Sequence, residues 1–227
     1  MASFEMEIAS IMSSVIRDVQ SEFELMKKLD TKRFKRLRKI SPVCLYSIDS
    51  TQNYLGSLPQ NTIEGLVVIS QIQTEGRGRQ GRKWISQKGG LWLSISLCPP
   101  PNASNQLTLV ASKSVIETFE IDFAFPGCTI KEPNDVILRS NKKKIAGVLA
   151  DASIRGDSCL VILGVGVNVN NSVKGDEHIG SIATSYYDET GKQIPILDFA
   201  AAFLSRLDQN YDKLCQNADL SRAYSKA

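Results

Sequence analysis

The sequence contains few of the residues that metal centres and nucleophilic triads require. It has one histidine, His178, which excludes sites built from several histidines and is a poor base for a Ser-His-Asp triad. The five cysteines are scattered and lack CxxC spacing, which argues against a zinc site or a disulfide framework. Such cysteines predict small buried thiols in a reducing compartment, and therefore a cytoplasmic protein. Any metal is expected to have oxygen ligands, and Mg²⁺ accompanying a nucleotide fits best.

Two further absences narrow the class of protein. No run of 18 apolar residues occurs, so no segment is predicted to cross a membrane. The net charge is only +3 over 227 residues, which by itself does not indicate nucleic-acid binding. Basic residues are instead concentrated at 32–39, 77–83 and 142–144. With 42% hydrophobic residues and a mean hydropathy of −0.12, the chain suits one globular domain with at most an appendage.

The most informative segment is the glycine–arginine loop, residues 76–84, which reads GRGRQGRKW. Glycine lets the backbone approach a ligand closely, and arginine supplies a planar cation suited to phosphate and carboxylate. The segment lacks the Gly-Lys-Ser/Thr ending of a Walker loop. It predicts a loop that closes over an anion, with a solvated basic loop or an RGG-type nucleic-acid contact as alternatives.

Strand patterns flank this loop. Residues 65–70 are apolar and β-branched, as in a buried strand, and residues 91–97 alternate apolar and small polar side chains, as in a half-buried strand. Further strands are expected at 43–48, 128–138 (interrupted at Pro133), 145–154 and 159–169. Helices are expected at 3–29, after the capping residues 49–51, and at 107–119 and 196–215. Hairpins between the strands predict an α+β fold with a mixed, largely antiparallel central sheet flanked by helices.

Two polar segments near the predicted strands are candidate site residues. Asn134 and Asp135 follow Pro133, where a bend or bulge would aim them into a site, although a plain turn explains them equally simply. Three lysines at 142–144 precede the next strand. Lys144 adjoins the apolar residues and is therefore expected to be held in place.

Two glycines and an asparagine lie within another apolar strand. Gly164 and Gly166 destabilise a strand unless a ligand or another backbone passes close to them. Asn168, between two valines, needs hydrogen-bond partners when buried. An adenine edge or the neighbouring backbone would serve.

Taken in order, these segments resemble the catalytic domain of biotin protein ligases. The matching segments extend over roughly residues 43–215 and are 49–54, 73–84, 133–135, 144–147, 164–170 and 182–185. The resemblance implies a fold like that of class II aminoacyl-tRNA synthetase catalytic domains. It also implies that biotin and MgATP form biotinyl-5′-AMP and pyrophosphate, after which a carrier-domain lysine attacks the mixed anhydride.

The resemblance also assigns site residues. Those expected to bind biotin are Ser50, Thr51, Gln52, Gln73, Gly76, Arg77, Gly78, Arg79, Lys144 and Gly147. Those expected to bind ATP are Arg77, Arg79, Lys83, Trp84, Asn134, Lys144 and Asn168. Lys144, Arg79 and Asp135 are the expected catalytic residues, since joining two anions requires fixed cations and the incoming amine must lose a proton. Asn134 is expected to help hold Mg²⁺ with the phosphates.

The chain departs from the family pattern in three ways. Glu132 stands where the family usually has tryptophan, which is expected to alter ATP binding. Residues 1–40 are expected to form an N-terminal helix and basic linker, too short for a winged-helix domain. Residues 41–227 are expected to form the catalytic domain, without the small C-terminal β-barrel of many relatives.

The resemblance predicts a partner, the biotin carboxyl carrier domain of a biotin-dependent carboxylase. Neither DNA nor a membrane is expected as a partner, and a homodimer is compatible with the family. Two alternatives stay open. Lipoate or octanoate ligases share the fold and the acceptor chemistry, and a non-catalytic nucleic-acid binder would use residues 32–39 and 77–83.

Overall fold

The computed structural model describes residues 17–58, 64–156, 158–175 and 177–224. Its strands form one seven-stranded sheet in the order β1-β2-β3-β7-β6-β5-β4. The strands are β1 (Ser41–Ile48), β2 (Leu66–Gln73), β3 (Leu91–Leu97), β4 (Cys128–Lys131), β5 (Asp135–Leu138), β6 (Lys144–Arg155) and β7 (Ser158–Val167). Of these strand pairs, only β1–β2 is parallel. The predicted α+β class with a mixed, largely antiparallel sheet is therefore confirmed.

The α-helices of the described residues lie before, between and after these strands. They are α1 (Val19–Lys28), α2 (Thr51–Ser57), α3 (Leu107–Glu117), α4 (Glu177–Ile182), α5 (Tyr186–Thr190) and α6 (Ile196–Tyr224). Short 3₁₀ turns occur at Arg79–Gly81 and Pro101–Gln106, and a π-helical turn at Thr118–Asp122 follows α3.

Three local predictions need correction. The predicted helix at 3–29 is not continuous, because Arg17 forms an antiparallel bridge with Leu45 and Asp18 caps a helix that begins at Val19. Residues 1–16 of that prediction lie outside the described part. The predicted strand at 128–138 is a hairpin, since β4 and β5 pair antiparallel around residues 132–134. Finally, the strand at 91–97 was predicted to be half-buried, but β3 is buried along its whole length, because both faces of this central strand are covered.

Two apolar clusters hold the sheet and helices together. The larger one packs α3 and α6 against the sheet, and its fully buried members include Val115, Phe119, Phe203 and Leu207. The smaller one lies beneath α2 and contains Val43, Leu45, Tyr54, Leu55 and Val68. Since α2 covers only part of its sheet face, the remainder of that face is available to polar groups.

The basic run at 32–39 packs against α6 and differs in this from a solvated linker. Phe34 and Leu37 are buried in the larger cluster. The backbone N–H groups of residues 35, 36 and 37 donate to the buried carboxylate of Asp208, over 2.7, 2.9 and 2.8 Å. Asp212, one turn further along α6, forms ion pairs with the side chains of residues 35 and 36. Two cations of the run thus have a carboxylate partner within the protein and do not require a nucleic acid as partner.

The cysteines occur mostly as buried thiols, as the sequence predicts. Cys44, Cys128, Cys159 and Cys215 are buried, and Cys98 is exposed. Burial raises the pKa of Cys44 and of Cys128 to about 12, which keeps these thiols protonated. Among the described residues, no helix is long and apolar enough to span a membrane.

Replacing Asp208 with alanine should lower the free energy of unfolding by about 3 kcal/mol. The three backbone N–H groups that donate to the buried carboxylate would lose their acceptor. Thermal or urea unfolding measures the loss. Asp198→Ala is the matched control on the same helix, because Asp198 makes a solvent-exposed ion pair with Lys28. Equal losses in the two variants would contradict this role of Asp208.

Candidate active site

A cavity of about 640 Å³ opens on the sheet face beside α2. Five parts of the chain line it: the start of α2, the glycine–arginine loop, the β4–β5 hairpin, the sheet floor, and residues within 173–183 around α4. On the floor, Ser94 of β3 and Gly164 of β7 are register partners, as are Gly147 of β6 and Gly166 of β7. All predicted site residues line the cavity except Gly76.

The start of α2 supplies uncharged hydrogen-bonding groups to one end of the cavity. The Ser50 hydroxyl caps the helix by accepting from backbone N–H groups of its first turn. The Thr51 backbone N–H donates to Gln73 Oε1 over 2.8 Å, and the Thr51 hydroxyl lies 3.0 Å from the same oxygen and 2.8 Å from the hydroxyl of Ser94. These buried groups are therefore held in one orientation by each other.

Gln52 lies above Gly164. Its Nε2 donates to the Ile162 carbonyl over 2.9 Å and to Asp151 Oδ2 over 3.1 Å. A Cβ at Gly164 would lie 2.6 Å from Gln52 Oε1. The close protein neighbour of this glycine is therefore a side chain, whereas the predicted approach of a ligand stays a prediction, since Gly164 also lines the cavity.

The glycine–arginine loop is closed at its base. The backbone N–H of Trp84 donates to the Gly76 carbonyl over 2.8 Å, and Arg77 forms a β-bridge with Lys83. A Cβ at Gly76 would clash with the Trp84 carbonyl oxygen. Gly76 therefore permits the two ends of the loop to meet. It was predicted to bind biotin, but it does not line the cavity.

Arg77 and Arg79 of the loop extend in different directions. Arg77 Nη1 donates to Asn53 Oδ1 and to Asp151 Oδ2, over 3.2 Å in each case. Arg79 Nη1 donates to Asn134 Oδ1 on the β4–β5 hairpin over 3.1 Å. The loop thus contacts α2 and β6 through one arginine and the hairpin through the other.

Lys144 is held between an acidic and an aromatic side chain. Its Nζ lies 2.6 Å from Asp135 Oδ1 and 4.7 Å from the ring centroid of Trp84. Lys143 does not line the cavity and donates instead to the Gly180 carbonyl. The expectation that Lys144 is the lysine held in place is confirmed in its geometry.

Trp84 occupies a slot made by two glycines on paired strands. A Cβ at Gly166 would lie 2.7 Å from Trp84 Nε1, and one at Gly147 would lie 3.0 Å from Trp84 Cζ3. Within the described part of the chain, the buried Nε1 has no hydrogen-bond partner. An unpaired buried donor costs about 1–3 kcal/mol, so a ligand acceptor beside it would gain a bond without a competing partner.

The two asparagines differ in what their side chains contact. Asn134 Nδ2 donates to the Val148 carbonyl over 2.7 Å, while its Oδ1 faces Arg79. Asn168 is buried, with Nδ2 donating to the Thr184 carbonyl over 3.0 Å and Oδ1 accepting from Asn171 over 3.0 Å. Neighbouring protein groups thus satisfy the hydrogen bonds of the Asn168 side chain, as one of the two predicted alternatives has it. Its predicted contact with adenine stays a prediction.

Metal ligands are sparse in the described residues, which contain no group of three or more His, Cys, Asp or Glu residues able to hold an ion. The side chain of His178 lies outside the described part. Asn134 Oδ1 and the Asp135 carboxylate are oxygen donors of the kind that Mg²⁺ prefers. They fit an ion held chiefly by phosphates and water.

The cavity wall is strongly cationic. Seven basic side chains line it, against the two acidic ones of Glu132 and Asp135; the basic ones are Arg77, Arg79, Arg82, Lys83, Lys131, Lys142 and Lys144. Glu132 is an exposed residue at the rim. Such a wall concentrates anions at the site.

Sequence reasoning missed Ser94 and Asp151. Ser94 bonds both Thr51 and Gln52, and the small polar positions 94 and 96 of an apolar strand were the available signal. Asp151 accepts from Gln52 and Arg77, which lie 99 and 74 positions away in the sequence. No local pattern indicates such contacts.

Gly166→Ala should expel the Trp84 indole from its slot, because the added Cβ overlaps Nε1 and the central strand β7 cannot retreat. Tryptophan emission should shift to longer wavelength and become more accessible to acrylamide. Trp92 packs edge-on against Trp84, with ring centroids 6.4 Å apart, so both measurements are made in a Trp92→Phe background where Trp84 alone emits. Gly175→Ala is the control, since no atom lies within 4 Å of the added Cβ. Unchanged quenching in Gly166→Ala would refute the slot.

The chain is similar in fold and sequence to known proteins. The solved structure of the biotin protein ligase from Aquifex aeolicus in complex with biotin and ATP superposes with a TM-score of 0.66. It is 36% identical to this chain and the match covers 77% of this chain and 72% of that one. The solved structure of the biotin protein ligase from Leishmania major in complex with biotin gives a TM-score of 0.55 at 26% identity, covering 73% of this chain and 71% of that one.

Curated sequences give the same result. The bifunctional ligase/repressor BirA of Bacillus spizizenii is 38% identical over 65% of this chain and 46% of its own length. Biotin–protein ligase 2 of Arabidopsis thaliana is 31% identical over 72% of this chain and 51% of its own. The chain spans about half the length of the curated relatives it matches. Residues 44–168, more than half of the chain, match the profile of the Biotin/lipoate A/B protein ligase family, and the chain belongs to that family.

Proposed function

We propose that this chain is an ATP-dependent biotin protein ligase that forms biotinyl-5′-AMP and transfers biotin to a lysine of a carboxylase carrier domain. The observation that carries the proposal is a cavity with an uncharged hydrogen-bonding end and a cationic end, with Lys144 held between Asp135 and Trp84. The names of its relatives, among them a ligase in complex with biotin and ATP, support the same activity.

The uncharged end suits the biotin ring system. The ureido group carries a carbonyl acceptor and two N–H donors, which require hydroxyl and amide partners when buried. Thr51, Gln73 and Ser94 provide these groups beside the helix cap at Ser50. Gln52 and Gly147 complete this end, and the backbone at Gly78 together with Arg77 and Arg79 covers it.

The cationic end suits the adenylation step. The biotin carboxylate oxygen attacks the α-phosphorus of ATP, a new P–O bond forms, and the bond to the departing pyrophosphate breaks. Both reactants are anions, so fixed cations lower the barrier where negative charge develops. Lys144 and Arg79 are the candidates for this role, since both line the cavity, and Lys83, Trp84 and Asn168 are the remaining candidates for contact with the nucleotide. When bound with the phosphates, Mg²⁺ supplies further positive charge beside Asn134.

In the second step, the carrier lysine attacks the acyl carbon of the mixed anhydride. A C–N bond forms, the C–O bond to the phosphate breaks, and AMP departs while the amine loses a proton. Asp135 is the candidate acceptor for this proton, since it lines the cavity beside Lys144. The partner is accordingly a carrier domain that presents an exposed lysine.

Lipoate ligation is the nearest alternative. A dithiolane ring has no ureido group, so it would gain no hydrogen bonds from the amide and hydroxyl groups around Thr51, which bond one another. Nucleic-acid binding is less well supported, because the run at 32–39 packs on α6. A competition between labelled biotin and lipoate in ATP–pyrophosphate exchange separates the two ligases.

Incubation of the protein with biotin and MgATP should yield biotinyl-5′-AMP, detected by mass spectrometry. Omission of biotin is the control. Failure to form the adenylate, with a protein shown to be folded, would refute the proposed function.

Lys144→Ala should lower the rate of adenylate formation by about 10²–10³-fold, because a fixed cation is lost where charge develops, while biotin binding weakens much less. Rapid-quench measurement of the adenylate and calorimetry with biotin provide the two quantities. Lys143→Ala is the matched control, since its side chain lies outside the cavity. Similar behaviour of the two variants would show that the wrong lysine has been assigned.

A further inference from the structure

A chain of hydrogen bonds joins the two ends of the glycine–arginine loop through the floor of the cavity. It starts at Arg77, whose Nη1 donates to Asp151 Oδ2 over 3.2 Å. The same oxygen accepts from Gln52 Nε2 over 3.1 Å. One carboxylate oxygen thus links an arginine of the loop to an amide of the floor.

The chain continues beneath the cavity. Gln52 Oε1 accepts from the Ser94 hydroxyl over 3.1 Å, and this hydroxyl lies 2.8 Å from that of Thr51. The Ser94 proton is used on Gln52, so the Thr51 hydroxyl donates to Ser94, and the Thr51 backbone N–H donates to Gln73 Oε1 over 2.8 Å. Every one of these four side chains also lines the cavity, so a bound molecule touches the same groups.

The chain returns to the loop on its other side. Gln73 Nε2 donates to the Ser86 hydroxyl over 2.7 Å, and this hydroxyl donates to the Trp84 carbonyl over 3.1 Å. The loop is therefore attached at Arg77 and at Trp84 to one connected set of floor residues.

Asp151 differs from the other members in position and charge. It does not line the cavity, and its side chain is 44% exposed. An exposed ion pair alone contributes little, so the Arg77–Asp151 contact would not hold a loop by itself. The buried amide of Gln52 orients the carboxylate, which lowers the entropy lost when Arg77 binds to it.

We propose that Asp151 is a positioning residue that couples occupation of the cavity floor to closure of the glycine–arginine loop. A molecule bound to Thr51 and Gln73 fixes the floor side chains, Gln52 fixes the carboxylate, and the carboxylate holds Arg77 over the ligand. The coupling is reciprocal, so a loop held in this way strengthens binding at the floor by the same factor. This inference rests on the proposed function, since biotin is the ligand assigned to the floor.

Limited trypsin digestion with and without saturating biotin tests the coupling, with cleavage after Arg77 and Arg79 followed by mass spectrometry. Biotin should slow this cleavage in the wild type. In Asp151→Ala the protection should fall, and biotin affinity measured by calorimetry should drop, each by about tenfold, within the usual range for coupled sites. Asp151→Asn keeps the carbonyl acceptor without the charge and should fall between the two.

Asn53→Ala is the matched control. It removes the other acceptor of Arg77 but leaves the Asp151–Gln52 bond in place, so biotin should protect the loop as in the wild type. Ser94→Ala, which breaks the chain at the floor, should add little to the effect of Asp151→Ala when the two are combined. A merely structural role for Asp151 would instead give additive losses.

The outcomes separate two failures. If biotin does not bind the wild-type protein, the proposed function fails and this inference fails with it. If biotin binds and protects the wild type and Asp151→Ala equally, only the role of Asp151 is overturned. Equal loss of protection in Asn53→Ala and Asp151→Ala would also overturn it, because Arg77 would then need any acceptor rather than the one bound to Gln52.

Discussion

The absence of side chains at three positions of the sheet is the constraint on which the site depends. Gly147 and Gly166 face each other across β6 and β7, and Gly164 lies two residues before Gly166. A Cβ at any of the three would approach a neighbouring side chain to 3.0 Å or less. The bare surface lets Gln52 descend from α2 and lets the Trp84 indole lie against the strands. Both the helix and the loop reach the floor for this reason.

Local patterns in the sequence predicted most of the fold, because its strands and caps depend on near neighbours. The strand expected at 159–169 occurs at Ser158–Val167, and the helix cap expected within 49–51 is Ser50. Predictions failed where distant segments decide the structure. In the described residues, the helix predicted at 3–29 begins at Val19 after the cap Asp18, because the adjacent Arg17 pairs with β1. Strand β3 is buried on both faces because helices pack above and below it. The alternation of apolar and small polar residues along the strand does not indicate this second cover.

The sequence predicted which residues reach the cavity better than it predicted the contacts between them. Lys144 and Arg79 reach the cavity as expected. The partner of Arg77 was not predictable, because Asp151 comes close only after β6 and α2 are placed. The run at 32–39 shows the opposite error. Its charges suggested a linker or a binding segment, whereas Phe34 and Leu37 at a spacing of three mark a face that is buried on α6.

The balance of charge in the cavity explains how one site can serve two anionic reactants in the proposed reaction. A basic wall attracts both, but a freely moving lysine would remain solvated and give little selective stabilisation to the transition state. Lys144 is instead held by one carboxylate and one aromatic face. Its position is thereby set in advance, while Asp135 offsets part of its charge until a substrate carboxylate arrives. The arginines of the loop add charge only where the loop closes, so the strongest field forms around a ligand that is already bound.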